Sequence, residues 1–165
     1  MTNLEILNKK IYTQRKDLLH RIAVWKFHSY KIVFTNGCFD LLHHGHIEYL
    51  SKAADLGDKL ILGLNSDASV KKLDKGANRP IQTENDRALI LSSLQLIDAL
   101  IIFEEDTPYE LIKAIQPDVL VKGGDWKEDQ IAGADIVKAR GGLVATIPFV
   151  EGYSTTNIEK KIKNS

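Results

Sequence analysis

The sequence predicts an α/β fold: a doubly wound parallel sheet with helices on both faces. Three observations predict it. Short apolar runs rich in Val, Ile and Leu, the pattern of strands buried on both sides, recur along the chain. Stretches with apolar residues at helical spacing lie between them, so strands and helices alternate as in right-handed βαβ crossovers. The turn that joins the first run to the next helix carries glycines and paired histidines.

In chain order, residues 1–27 read as a helical lead-in that packs through Leu18, Leu19, Ile22 and Trp25. Five strands are expected at 31–35, 59–64, 98–103, 118–121 and 143–147. Helices are expected at 44–56, 84–94, 108–115 and 129–140. Thr107-Pro108-Tyr109-Glu110 is a favourable helix start, because Thr can cap, Pro fits the first position and Glu can reach back. Thr83 with Asp86 makes a weaker version of the same signal. Two segments read as loops. Residues 71–82 bring Lys71, Lys72, Lys75 and Arg79 together with Gly76, Asn78 and Pro80, and residues 122–128 place Gly123-Gly124 directly after a strand. A short helical tail through Ile158 and Ile162 follows Ser154. With 165 residues and no internal repeat, one domain is expected over 1–165, the lead-in 1–27 preceding a core at 28–165.

Composition excludes several classes. Twenty-two basic residues balance twenty-two acidic ones, so no basic excess marks a nucleic-acid surface. A single cysteine cannot form an internal disulfide, which suits a reducing, cytoplasmic setting. The first residues do not read as a signal peptide, and no apolar run approaches a membrane span, so no membrane partner is expected.

Chemistry concentrates in Thr35-Asn36-Gly37-Cys38-Phe39-Asp40-Leu41-Leu42-His43-His44-Gly45-His46. This turn follows the first strand, and the carboxyl end of a first parallel strand is where doubly wound folds bind nucleotides. In a helix beginning near His43, the spacing of three puts His43 and His46 on one face. Gly45 lets a phosphate chain approach the backbone, and the helix N-terminus adds N–H groups and positive dipole. A surface or capping histidine and a zinc ligand are the competing readings. Zinc normally needs three or four protein ligands, and the chain has one cysteine and no His-Glu-x-x-His helix, so no protein metal site is expected.

The stretch 37–46 resembles the signature of the nucleotidyltransferases that share the His-x-Gly-His motif. Gly63-Leu64-Asn65-Ser66-Asp67-Ala68-Ser69-Val70, Asn78-Arg79-Pro80-Ile81, Val119-Leu120-Val121-Lys122-Gly123-Gly124-Asp125-Trp126 and Glu151-Gly152-Tyr153-Ser154-Thr155-Thr156 are similar to one branch. That branch is the D-glycero-β-D-manno-heptose 1-phosphate adenylyltransferases, found alone or as the C-terminal domain of a bifunctional kinase–adenylyltransferase. The resemblance spans roughly residues 10–163. It implies a Rossmann-like sheet of order 3-2-1-4-5, a standalone enzyme, and a homo-oligomer, dimer or larger. The implied reaction joins ATP, with Mg²⁺, to a sugar 1-phosphate, giving an ADP-sugar and pyrophosphate for lipopolysaccharide or another surface glycan. A cytidylyltransferase acting on glycerol 3-phosphate and a nucleotide sensor without turnover are the alternatives.

A phosphate monoester is already anionic at neutral pH, so this reaction needs no strong general base. It needs positioned cations and hydrogen-bond donors. His43, His46 and Lys72 are the catalytic candidates, although choosing Lys72 over Lys71 or Lys75 is arbitrary. Nucleotide binding is assigned to Asn36, Gly37, Cys38, Phe39, Gly45, His46, Lys122, Gly124, Asp125, Tyr153, Ser154, Thr155 and Thr156; the side chains of Cys38 and Phe39 are read as packing groups. Asp40, Asn65, Arg79 and Trp126 are assigned to the sugar phosphate, Asp40 by orienting loop donors. Glu151-Gly152 stands where cytidylyltransferase relatives carry an Arg-Thr pair, leaving Arg79 or a lysine to supply that phosphate contact.

Overall fold

The structure is a computed structural model and describes residues 1–73 and 79–164. Its elements are α1 (Asn3–Asn8), β1 (Ile11–Tyr12), α2 (Arg15–Phe27), β2 (Ile32–Gly37), α3 (His44–Ala54), β3 (Lys59–Asn65), α4 (Asp67–Lys72), α5 (Glu84–Ser92), β4 (Ala99–Phe103), α6 (Tyr109–Ile115), β5 (Val119–Gly123), α7 (Ala134–Ala139), β6 (Leu143–Ile147) and α8 (Thr155–Lys163). The sheet is parallel throughout, in the order β1-β4-β3-β2-β5-β6. The five expected strands take the expected order, and β1 adds a sixth at the edge.

Alternation along the strands divides the core into two layers. Ile32, Phe34 and Ile61 point to one face, where they meet Leu18 and Ile22 of α2 and Leu111, Ile112 and Ile115 of α6. Val33, Leu60, Leu62 and Leu64 point to the other, against Leu50 and Ala53 of α3 and Ala88 and Leu91 of α5. Both faces of the sheet are therefore covered, which is why its strands read as continuous apolar runs.

Four expectations need correction. The lead-in is not wholly helical: α1 and α2 flank β1, whose Ile11 and Tyr12 pair with Leu100 and Ile101. Two residues carry no readable periodicity, and only the neighbouring strand makes them a strand. The start of the 71–82 segment is helical, because Ser66 caps α4 by accepting from the Ser69 amide at 3.1 Å. The helix expected at 129–140 shrinks to α7, preceded by a 3-10 turn at Glu128–Gln130. Gly133 breaks it, with φ 83 and a backbone so close to Ile112 that a Cβ would come within 2.7 Å. Finally, α6 begins one residue late, with Pro108 rather than Thr107 at its cap position, and Pro108 has no side-chain donor or acceptor to offer. Thr83, by contrast, caps α5 as expected, accepting from the Asp86 amide at 3.2 Å.

The topology matters for function at one place. β2 runs on to β3 and β4 on one side, whereas β5 returns to its other side, pairing Val33 with Val119 and Phe34 with Leu120. The carboxyl ends of β2 and β5 therefore open side by side at the switch point, where doubly wound sheets hold their ligands.

Candidate active site

Beyond Gly37 the chain turns through Phe39, held at φ 45, and enters α3 with extended His43 as its cap residue. The His43 side chain makes no capping hydrogen bond. One helical turn on, His46 stacks against it, ring centres 3.8 Å apart and planes 19° from parallel. Phe39 also packs against His46, 5.0 Å between ring centres and tilted by 56°. Nδ1 of His43 is buried with no hydrogen-bond partner among the described residues. A buried polar nitrogen of that kind calls for a partner from outside the fold. Burial also lowers the His43 pKa, so the ring is neutral at pH 7 before anything binds. Gly45 lies against both walls: a Cβ there would stand 3.1 Å from Cβ of Tyr153 and 3.2 Å from Nδ1 of His43.

The opposite wall comes from β5 and the C-terminal segment. Lys122 Nζ lies 3.4 Å from Asn36 Oδ1 and 5.8 Å from the centre of the Trp126 ring. Phe149 lays its ring over Gly123 and Gly124, where any Cβ would collide with it at 2.7 and 2.9 Å. Ser154 caps α8 by accepting from the Asn157 amide at 3.0 Å, and Thr155 and Thr156 form the first turn. The amides of a helix's first turn favour anions. Between these walls lies a cavity of about 670 Å³, within the range of small-ligand sites.

Most of the residues singled out in the sequence meet there. Asn36, Gly37, Cys38, Phe39, Asp40, His43, Gly45, His46, Arg79, Lys122, Trp126, Tyr153, Ser154, Thr155 and Thr156 all border the cavity. Four do not. Lys72 sits in the last turn of α4 and pairs with Asp106 at 2.9 Å, both side chains largely exposed. Asn65 is buried, with its side-chain amide donating to Ser69 Oγ at 2.9 Å and its carbonyl taken by Arg87. Gly124 spends its amide on the Ile147 carbonyl at 2.9 Å and lies under Phe149, while Asp125 is exposed outside the lining. Lys75, the third lysine considered, lies outside the described residues.

Asp40 and Arg79 border the cavity but are already engaged. Asp40 accepts from the Ile81 and Gln82 amides at 2.9 and 3.0 Å and from Arg79 at 3.0 Å. Burial opposes its charge, but these donors outweigh it and hold the carboxyl below the usual range. Asp40 thus staples segment 79–82 to the histidine turn.

Sequence reasoning missed three features. Arg87 is 1% exposed and donates to the carbonyls of Cys38, Asn65 and Gln82 and to Asp67. Its position four residues before Leu91, on the inward face of α5, was the available signal. Tyr49 lines the cavity floor, its hydroxyl 2.6 Å from Thr35 Oγ1 and its pKa pushed up to about 12 by burial. Phe149 follows β6 and is 71% exposed; nothing in its sequence neighbourhood distinguishes it from a surface aromatic.

Residues 34–161, from within β2 to α8, match the cytidylyltransferase-like family. The chain belongs to that family of nucleotidyltransferases. Among its relatives, the bifunctional protein HldE of Wolinella succinogenes is 54% identical over 151 residues, 91% of this chain and 31% of that protein. The protein of the same name from Nitratiruptor sp. is 58% identical over 134 residues, 81% of this chain and 28% of the relative. The chain therefore spans under a third of the length of these relatives. A solved structure described as the lipopolysaccharide core biosynthesis protein from Thermoplasma volcanium superposes with a TM-score of 0.60 at 27% identity, covering 76% of this chain and 99% of that one. The pantoate-beta-alanine ligase of Francisella tularensis, at TM-score 0.58 and 18% identity, covers 93% of this chain and 76% of that one and shares the fold. No helix among the described residues is long and apolar enough to cross a membrane.

Proposed function

We propose that the chain transfers AMP from ATP to D-glycero-β-D-manno-heptose 1-phosphate, yielding ADP-heptose and pyrophosphate. One observation carries the reading: the stacked His43–His46 pair and the Ser154–Thr156 helix start border a single cavity, so donors flank it from two sides. The sugar is the part that geometry does not supply. It is supported by the likeness to proteins named HldE and to a lipopolysaccharide core biosynthesis protein, together with the segments around Lys122 and Ser154.

The arrangement suits an in-line displacement. An oxygen of the sugar phosphate forms a bond to the α-phosphorus of ATP, and the bond from that phosphorus to the bridging oxygen breaks, releasing pyrophosphate. His46 and His43 would donate to the oxygens that gain charge, Lys122 would neutralise from the opposite wall, and the α8 start would hold phosphate oxygens. Bound polyanion would raise the His43 pKa from its lowered value, turning a neutral ring into a cationic donor. Magnesium on the triphosphate would offset charge on the leaving group. Both oxygens of Asp40 are already committed to Arg79, Ile81 and Gln82, so phosphate and water would supply the metal's ligands.

The test is pyrophosphate release from ATP, Mg²⁺ and the heptose 1-phosphate, with CTP and glycerol 3-phosphate run in parallel. Release with ATP and the heptose alone is the expected result. Preference for CTP and glycerol 3-phosphate would replace the reading by the cytidylyl one. Tight ATP binding without release on any acceptor would make the chain a sensor.

A further inference from the structure

Arg79 shares its guanidinium between two carboxylates. Nη1 meets Asp40 Oδ2 at 3.0 Å and Nη2 meets Glu159 Oε2 at 2.9 Å, with 9% of the arginine side chain exposed. Two anions thus converge on one cation in the wall of a cavity that, on the reading above, must accept a polyanion. The two carboxylates differ in how they are held. Asp40 is 5% exposed and anchored by the amides of Ile81 and Gln82. Glu159 is 26% exposed and rides on α8, a helix that buries none of its residues. Of the pair, Glu159 is the one able to leave.

We infer that Glu159 is a stand-in for a substrate phosphate: it holds Arg79 in place in the unliganded protein and is displaced when a phosphate group enters. A guanidinium fork donates to carboxylate and phosphate oxygens with the same geometry, and the phosphate brings more charge. The exchange keeps the arginine aimed without leaving it unpaired in a largely buried place. It also couples the site to α8, since Glu159 tethers to Arg79 the same helix whose start borders the cavity. The inference rests on the anion-binding reading of that cavity.

Affinity for ATP and for pyrophosphate, measured by titration calorimetry without catalysis, tests it. A purely structural pair predicts that Glu159→Gln loosens α8 and weakens binding. A competing internal anion predicts the reverse, with Glu159→Gln tightening both ligands by about fivefold, the low end of site-to-site coupling. In an Arg79→Gln background the same substitution should change nothing. Unchanged or weaker binding by Glu159→Gln overturns the inference, and so does tightening that persists without Arg79, since that would be the general field of a removed charge. Should Arg79→Gln fail to fold, Arg79→Lys takes its place, and the effect of Glu159→Gln should shrink there; an undiminished effect counts against displacement. A wild-type chain that binds neither ligand brings down the anion-site reading itself and the inference with it, whereas wild-type binding with no gain in Glu159→Gln brings down the inference alone.

Discussion

Arg87 reaches across 49 residues of sequence to the carbonyl of Cys38, which it meets at 2.7 Å. The same guanidinium holds the carbonyl of Asn65 at 2.9 Å, that of Gln82 at 3.1 Å and the carboxylate of Asp67 at 2.6 Å. One buried side chain therefore fixes the histidine turn, the end of β3, the start of α4 and segment 79–82 relative to one another. Asp40 makes a second tie between the first and last of these.

Truncating Arg87 should be costly. Arg87→Ala leaves three carbonyls and a carboxylate without their donor, and a loss of about 3 kcal/mol or more is expected. Urea unfolding reads it directly; a loss under 1 kcal/mol would mean water replaces the guanidinium at little cost.

His46→Ala should lower turnover by on the order of a hundredfold or more while the thermal midpoint stays near wild type, as expected for a donor used mainly in the transition state. A folded variant with near-normal turnover would remove His46 from the mechanism.

Acid should act on His43 in a defined direction. Burial lowers its folded pKa beneath the reference 6.5. The unfolded chain therefore binds the proton first, so the stability this group contributes is present above pH 6.5 and is lost as pH falls through the lower folded value. Proton NMR should find the His43 midpoint below 6.5 in the unliganded protein and find it raised with ATP bound. Calorimetry in buffers of different ionisation enthalpy should then register proton uptake on binding. A midpoint unmoved by ATP would mean that the ring does not meet the phosphates.

Gly45→Ala opposes two effects. A helical alanine gains up to about 1 kcal/mol over glycine, but the added Cβ would press on Tyr153 and His43 at 3.1 and 3.2 Å. Stability should change little, while ATP affinity falls by about tenfold as the close backbone approach is lost. Unchanged affinity would show that nothing approaches the backbone there.

The two lysines should separate. Lys72 pairs with Asp106 on the surface, so Lys72→Ala should alter kcat/KM by less than about threefold, as exposed ion pairs contribute little. Lys122→Ala removes charge from the cavity wall and should lower kcat/KM by about tenfold or more. The opposite ranking would restore Lys72 to the site and require α4 to move toward it.

The chain's alternation of apolar runs determined the layered architecture, because strands buried on both faces and amphipathic helices write their periods into the sequence. It also determined the site's nucleus, since His43, Gly45 and His46 are local to one turn and their spacing alone puts them on one face. Tertiary structure decided what depends on distant partners. Ile11 and Tyr12 become a strand only beside β4, and α4 and the shortened α7 follow from the Ser66 cap and the crowding at Gly133. The long-range contacts that shape the cavity have the same origin: Arg87 locks the loops, Phe149 covers two glycines, and Arg79 is shared by Asp40 and Glu159. A charged or aromatic side chain carries no periodic signal of which remote carbonyl, carboxylate or backbone it will meet, so these assignments belong to the folded chain.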